Sequence, residues 1–333
     1  MTVIRRRAAN IDPNFFPSGS TLLDCVLGGG YGRNRVVNIV GDKAVGKTLF
    51  AIEACANFDR AFPQGAMRYN EAESAFERGY GRRMGMPDRV DFVGDDLDVP
   101  LGSQIVEEFE DDLFDFIKNN KAPEKLYILD SLDALSDAAE MDKKRGDGSY
   151  GMGKPKLISE MFRKGIGPLA AANCSLFIIS QIRDKIGVMF GEKKTRSGGK
   201  ALDFYASQIL WLSEIGKIKR TVDGIERVVG THVRVLCKKN KLGVAFRTAD
   251  IELYFNYGVD DEMSMIAWLG DNNKKGHVAL GMDLKDFVSE VKAARRAQDR
   301  DTLDVLAQEL RRATKERWAQ IEASVQPDMS KYG

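Results

Sequence analysis

Val36-Val37-Asn38-Ile39-Val40 runs directly into Gly41-Asp42-Lys43-Ala44-Val45-Gly46-Lys47-Thr48, after which Leu49, Ile52, Cys55 and Ala56 recur at helical spacing. A β-branched apolar run, a Gly-x4-Gly-Lys-Thr loop and a helical pattern describe strand, phosphate-binding turn and helix in that order. The glycines let backbone N–H groups turn inward around the β- and γ-phosphates, and the start of the helix adds its positive dipole end. Lys47 contributes a point charge and Thr48 offers a hydroxyl to Mg²⁺. The stretch from Gly41 to Leu49 therefore predicts a nucleoside triphosphate site.

Outward from this stretch, short apolar strands alternate with helical patterns, the signature of a mostly parallel sheet covered by helices. The predicted strands are Val36–Val40, Ala66–Asn70, Val90–Val93, Leu126–Asp130 and Cys174–Gln181, with helices near 48–60, 73–84, 102–119 and 156–171. After residue 200 the pattern becomes antiparallel. Ile209–Ile215, Ile225–Val229 and Val233–Cys237 read as strands around an Asp223-Gly224 hairpin turn, and Ala245–Phe246 and Ile251–Phe255 as a continuation of the sheet. The polar stretch Gly270–Gly276 suggests a boundary, beyond which Leu284, Phe287, Val288 and Val291, then Leu303, Leu306 and Leu310, mark a small helical unit. The expected organisation is an α/β core at 18–270, a short segment at 1–17 available for subunit docking, and a C-terminal helical unit at 271–333.

The 333 residues are 43% hydrophobic, enough for a sizeable core. Fifty basic side chains balance 49 acidic ones, so global charge predicts no nucleic-acid partner and any basic footprint must be local. Cys25, Cys55, Cys174 and Cys237 lie far apart without a C-x2-C pair, a pattern of buried free thiols in a reducing compartment. With only His232 and His277, there is little material for histidine-based metal or triad chemistry, and His232 reads as an outward strand residue. No apolar stretch reaches membrane-spanning length, and Arg5-Arg6-Arg7 is not followed by a signal-type apolar region. The expectation is a cytoplasmic protein with no membrane partner.

Leu126-Tyr127-Ile128-Leu129-Asp130-Ser131 supplies the second half of the nucleotide site, because a strand ending in Asp130 puts a carboxylate beside the phosphate loop, where it can orient the water shell of Mg²⁺. Hydrolysis also needs a group that polarises water. Met67-Arg68-Tyr69-Asn70-Glu71-Ala72-Glu73 ends at the same sheet edge, with Glu73 the candidate and Glu71 behind it; as an alternative or in addition, these acids cap a helix starting near Ser74. Tyr80 either stacks on an adenine ring or packs against the core. A buried strand then delivers Gln181 to that edge, followed by a long loop through Arg183, Lys185, Ile186 and Lys193-Lys194-Thr195-Arg196-Ser197-Gly198-Gly199-Lys200. Its bases, glycines and apolar residues suit a nucleic-acid backbone and its bases; a solvated surface loop is the plainer reading.

Gly19-Ser20-x-x-Leu23-Asp24, the phosphate loop, Glu71-Ala72-Glu73, Leu129-Asp130-Ser131, Gln181-Ile182-Arg183-x-Lys185-Ile186-Gly187-Val188-Met189-Phe190-Gly191, Gly198-Gly199-x-Ala201-Leu202-x-Phe204-Tyr205-Ala206-Ser207 and Lys239-Asn240-Lys241 together resemble the ATPase core of the RecA recombinase family, from Ser18 to about Tyr257. That resemblance implies a RecA-like fold that binds ATP and Mg²⁺. It makes Glu73 the water-activating glutamate and Gln181 the sensor coupling the γ-phosphate to the DNA loop. By the same resemblance, Ile182–Gly199 corresponds to the second DNA-binding loop and about Met141–Gly153, with Met152, to the first. Lys156, Ser159 and Arg163 then match phosphate contacts, and their three- and four-residue spacing puts them on one helix face. Phe204 corresponds to a subunit-interface residue, and Lys239 and Lys241 to a pair reaching a neighbour's ATP.

The resemblance is imperfect. The segment ahead of the core is short, Glu71 replaces the usual aspartate, Thr195-Arg196-Ser197 replaces a more neutral threonine run, and neither an acidic tail nor the usual C-terminal α/β pattern is evident. These departures suit a divergent, phage-type member. The implied activity is DNA-dependent ATP hydrolysis by a homo-oligomer, a helical filament in preference to a ring, that assembles on single-stranded DNA and exchanges strands with homologous double-stranded DNA. The rival readings are a hexameric-ring helicase or branch-migration motor on the same core, and a non-enzymatic DNA-binding protein with a vestigial ATP site.

Overall fold

The computed structural model describes residues 12–94, 102–141, 153–184, 194–196 and 199–327. The chain begins with β1 (Phe15–Phe16), α1 (Thr21–Leu27) and β2 (Tyr31–Gly32), then reaches the core through β3 (Val36–Gly41), α2 (Lys47–Ala61) and β4 (Ala66–Glu71). It continues with α3 (Arg78–Arg83), β5 (Asp91–Phe92), α4 (Val106–Asn119), β6 (Lys125–Asp130), α5 (Ala138–Met141), α6 (Gly153–Ala171) and β7 (Cys174–Asp184). After β8 (Lys194–Arg196) and α7 (Gly199–Tyr205) come β9 (Gln208–Val222), β10 (Ile225–Asn240), β11 (Thr248–Tyr254) and β12 (Gly258–Val259). Helices α8 (Asp261–Asn272), α9 (Leu284–Ala297) and α10 (Arg300–Ser324) end the described chain.

The main sheet has the order β12-β11-β10-β9-β3-β7-β6-β4-β5, with β8 paired to β7 off this path. From β9 through β5 neighbouring strands are parallel, whereas β9, β10, β11 and β12 form an antiparallel extension. Period-two alternation gives the sheet two apolar faces. Val37, Ile39, Ile128 and Phe177 pack towards α1 and α2, while Val36, Val40, Leu129 and Ile178 pack towards α4, α6 and α7. Asn38 is buried in the central strand, and its amide is satisfied by the Ile178 carbonyl (2.8 Å) and Ser180 Oγ (2.9 Å). Phe15 and Phe16, from the segment ahead of the core, are buried here, with Phe16 5.5 Å from Phe58 and 6.1 Å from Phe177 between ring centroids.

Several local expectations need correction. The helical pattern at 73–84 shortens to α3, because Ser74 adopts a left-handed φ of +53° and Glu71 Oε1 accepts the Glu73 and Ala75 N–H groups. Glu77, not Glu71 or Glu73, caps that helix through the Tyr80 N–H. Helix α4 begins only at Val106; the segment before it bends at Gly102 (φ +83°) and is tied by Ser103 N–H to Asn70 Oδ1 (2.8 Å). The two short strands expected at 225–229 and 233–237 are one long strand with irregular register near Gly230, Val233 and Lys239. Ala245–Phe246 is not a strand: Phe246 has φ +63°, which cannot continue a ladder, and its N–H closes a turn on the Cys237 carbonyl. At the hairpin tip Asp223 and Gly224 have φ of +51° and +75°, the mirror-type turn their sequence predicts.

Helices α8, α9 and α10 share an apolar cluster of Met265, Leu269, Phe287, Val291, Leu306 and Leu310, and residue 270 falls within α8. Three arginines tie these helices together and to the sheet. Arg295 forks onto Asp260 (2.6 and 2.7 Å) and reaches Glu262, Arg247 forks onto Glu322 (both 2.6 Å), and Arg311 contacts Asp261 at 3.4 Å. Among the described residues no helix is long and apolar enough to cross a membrane.

Candidate functional site

Strands β3, β4, β6 and β7 all end at one edge of the sheet, where a parallel α/β sheet places its ligands. The turn from β3 into α2 there is a phosphate loop with Ala44 and Gly46 in left-handed conformation (φ +58° and +96°). At Gly46 a Cβ would also lie 2.6 Å from Leu253 Cδ1, so a larger residue would displace that side chain in addition to straining the left-handed backbone. Lys47 opens the helix, is 9% exposed, and donates from Nζ to the Asp42 carbonyl at 2.7 Å. Burial pushes its pKa below the usual lysine value, opposed by the carboxylates of Asp130, Glu73, Asp133 and Asp42.

Asp130 lies opposite Glu71 in the β4–β6 register. Its Oδ2 accepts Thr48 Oγ1 and Tyr69 OH, each at 2.8 Å. Burial raises its pKa, while those two hydrogen bonds and Lys47 pull it down and the charge of Glu73 adds to the rise. The Thr48 hydroxyl and Asp130 carboxylate form an all-oxygen donor set, the type a hard Mg²⁺ ion takes, and the residues present fit such an ion. Beyond Glu71 the chain turns so that Glu73 faces the same cleft. Glu73 Oε1 accepts Ser131 Oγ at 2.5 Å and Gln181 Nε2 at 2.8 Å, and the Gln181 N–H donates to Asp133 Oδ2 at 2.6 Å. Glu71 instead holds the turn, and burial raises its pKa.

The cleft has a volume of about 610 Å³. Lys43, Ala44, Gly46, Lys47, Thr48, Leu49, Glu73, Tyr80, Asp130 and Gln181 line it, so the structure brings these predicted residues together. Thr231, Leu253, Tyr254 and Phe255 close its far wall, a contribution the sequence did not signal because it depends on how the antiparallel strands lie beside the phosphate loop. Tyr69 and Asp133 were also missed. Tyr69 shares a strand face with Glu71, and Asp133 closes Asp130-Ser131-Leu132-Asp133, so both had a legible position but no legible partner.

Other predicted residues lie elsewhere. Lys156, Ser159 and Arg163 share an exposed face of α6. Arg183 is on β7, Thr195 and Arg196 are on β8, which folds back antiparallel on β7 through the pairs Ile182–Arg196 and Arg183–Thr195, and Gly199 opens α7. Met152, Ile186, Ser197 and Gly198 lie outside the described residues, as does most of 141–153. Lys239 and Lys241 converge on the C-terminal end of α7. Lys239 Nζ donates to the carbonyls of Asp203 and Phe204, Lys241 Nζ donates to Phe204 O at 3.1 Å, and Phe204 is 69% exposed. Lys238 goes the other way, its Nζ 4.4 Å from the Trp211 ring centroid.

The family model described as the RecA N-terminal domain matches residues 1–260. Protein RecA of Leifsonia xyli is 35% identical over 252 residues, covering 75% of this chain and 66% of that relative. Protein RecA of a Nocardioides species is 36% identical over 251 residues, covering 75% of this chain and 67% of the relative. The match thus spans about two thirds of these curated relatives' length. The crystal structure of the RadB recombinase superposes with a TM-score of 0.52 at 15% identity, covering 74% of this chain and 98% of that one, a similarity of fold.

Proposed function

Because this chain belongs to the RecA family, we propose that it is a DNA-dependent ATPase that assembles on single-stranded DNA as a helical homo-oligomer and promotes pairing and strand exchange with homologous duplex. One observation carries the reading. Glu73, placed to polarise water, is hydrogen-bonded to Gln181, the residue from which the chain leaves the nucleotide cleft for the basic segment 182–199. A change at the γ-phosphate can therefore reach that segment through a single side chain, which a phosphate-loop enzyme acting on a small molecule does not need.

In this mechanism the phosphate-loop N–H groups and Lys47 hold the β- and γ-phosphates, and Tyr80 lies along the cleft wall for the adenine. Thr48 and Asp130 would hold Mg²⁺, which supplies neutralising charge at the phosphates. Glu73 orients water for in-line attack and takes its proton. Gln181 reports the γ-phosphate to segment 182–199, while Lys156, Ser159 and Arg163 on α6 contact the DNA backbone. Lys239 and Lys241 reach the ATP of an adjoining subunit beside Phe204. The same reading puts the protein in the cytoplasm, with DNA and ATP.

Electron microscopy of the protein with single-stranded DNA and a slowly hydrolysed ATP analogue tests the assembly. Helical filaments that form joint molecules with homologous duplex are expected. Closed rings that unwind duplex without pairing would replace this reading with the ring-motor alternative.

A further inference from the structure

Glu73 sits after the end of β4, in a turn rather than a helix, and its side chain opens into the cleft. A glutamate held only by its backbone must lose rotamer freedom before it can hold a water in one attack geometry. Here two donors meet one oxygen, Ser131 Oγ and Gln181 Nε2, both on Oε1. The donors differ in kind. Ser131 is fully buried, directly after Asp130 at the end of β6, whereas Gln181 is partly exposed and begins the path to segment 182–199. In the function proposed above, Gln181 has a second duty at the γ-phosphate. An amide that moves to report the phosphate carries its donor away from Oε1, whereas the buried Ser131 hydroxyl stays in place and keeps the carboxylate held.

We propose that Ser131 is the positioning residue for Glu73: its hydroxyl fixes Oε1 whichever partner Gln181 holds, and so leaves Oε2 to accept the proton of the attacking water. The proton balance is simple. Water gives its proton to Oε2 as its oxygen bonds to the γ-phosphorus and the bond to the β,γ-bridging oxygen breaks; Ser131 keeps its own proton throughout. Asp133 serves the same arrangement from the other side, holding the backbone N–H of Gln181 at 2.6 Å so that the amide starts from a defined place.

This inference rests on the ATPase reading, and the experiment separates the two. ATP turnover and fluorescent-nucleotide binding are measured for wild type, Glu73→Gln, Ser131→Ala, Ser131→Thr and the Glu73→Gln/Ser131→Ala double variant, all with single-stranded DNA. Loss of one hydrogen bond to a charged acceptor should lower kcat of Ser131→Ala roughly 10- to 100-fold, with KM and nucleotide affinity unchanged. Threonine, which keeps the hydroxyl, should restore most of the rate. In the Glu73→Gln background the serine change should lower the residual rate no further, because it acts through Glu73. Wild-type kcat in Ser131→Ala, an equal fall in the Glu73→Gln background, or a loss of nucleotide binding in step with rate would each overturn the positioning role while leaving the ATPase reading intact. A wild-type protein without ATP turnover would overturn both.

Discussion

Removing both Lys239 and Lys241 tests whether the nucleotide is shared between subunits. In one chain both ammonium groups sit at the C-terminal end of α7, on the carbonyls of Asp203 and Phe204. Cations there gain about 0.3–1 kcal/mol each from the helix dipole. Reaching a neighbour's γ-phosphate exchanges those neutral carbonyl acceptors for an anionic one, a gain of about 1.5 kcal/mol per lysine after the dipole term is given up. The net for the pair, about 3 kcal/mol, is roughly a hundredfold in turnover. Lys239→Ala/Lys241→Ala protein should therefore hydrolyse ATP about a hundredfold more slowly while each chain still binds nucleotide. Mixed in equal amounts with Glu73→Gln protein, it should recover activity. In a head-to-tail assembly about one interface in four then pairs an intact Glu73 with intact lysines, so turnover should approach one quarter of wild type. Turnover no greater than the sum of the two variants, with co-assembly confirmed, would refute the shared site and leave the lysines as caps of α7.

Three further outcomes are expected. Glu73→Gln should bind ATP normally and lose hydrolysis, with DNA complexes outlasting those of wild type in filter-binding decay; failure to bind nucleotide would make Glu73 structural. Arg163→Ala should weaken single-stranded DNA binding equally across sequences and flatten the log–log salt slope by about 0.7, and an unchanged slope would take that face of α6 off the DNA path. Burial raises the Asp24 pKa to about 7, against hydrogen bonds from Ser18, so the folded chain holds a proton there that the unfolded chain releases near pH 4. Asp24 should therefore contribute stability at low pH that is lost as pH rises towards 7, and Asp24→Asn should flatten that dependence in chemical denaturation; an unaltered pH profile would refute it.

The parallel core was legible because its signals are local. Val36–Val40 and Leu126–Asp130 are apolar runs that each end in chemistry, and two-residue alternation along them assigns the two helical layers. What could not be read depends on register or on backbone strain. Tyr69 looks like a core aromatic until the Glu71–Asp130 pairing brings its hydroxyl to the Asp130 carboxylate. The pattern at 73–84 reads as a helix until Ser74 takes a left-handed φ and the turn carries Glu73 into the cleft. Thr231 and Tyr254 reach the nucleotide wall only because β10 and β11 extend the sheet beyond β9, a tertiary fact with no periodic trace. Lys239 and Lys241 were the reverse case. One residue apart at the end of an extended strand, they point the same way, both to the end of α7 within one subunit, while Lys238 points to the Trp211 ring.

The central claim is that DNA and ATP are coupled through Gln181 and Glu73, and steady-state ATP hydrolysis by the wild-type protein, with and without single-stranded DNA, tests it most directly. If the DNA-bound arrangement of Gln181 and Glu73 lowers the barrier by about 1–3 kcal/mol, turnover rises about 5- to 150-fold on adding DNA. Turnover that is absent, or the same with and without DNA, would contradict it.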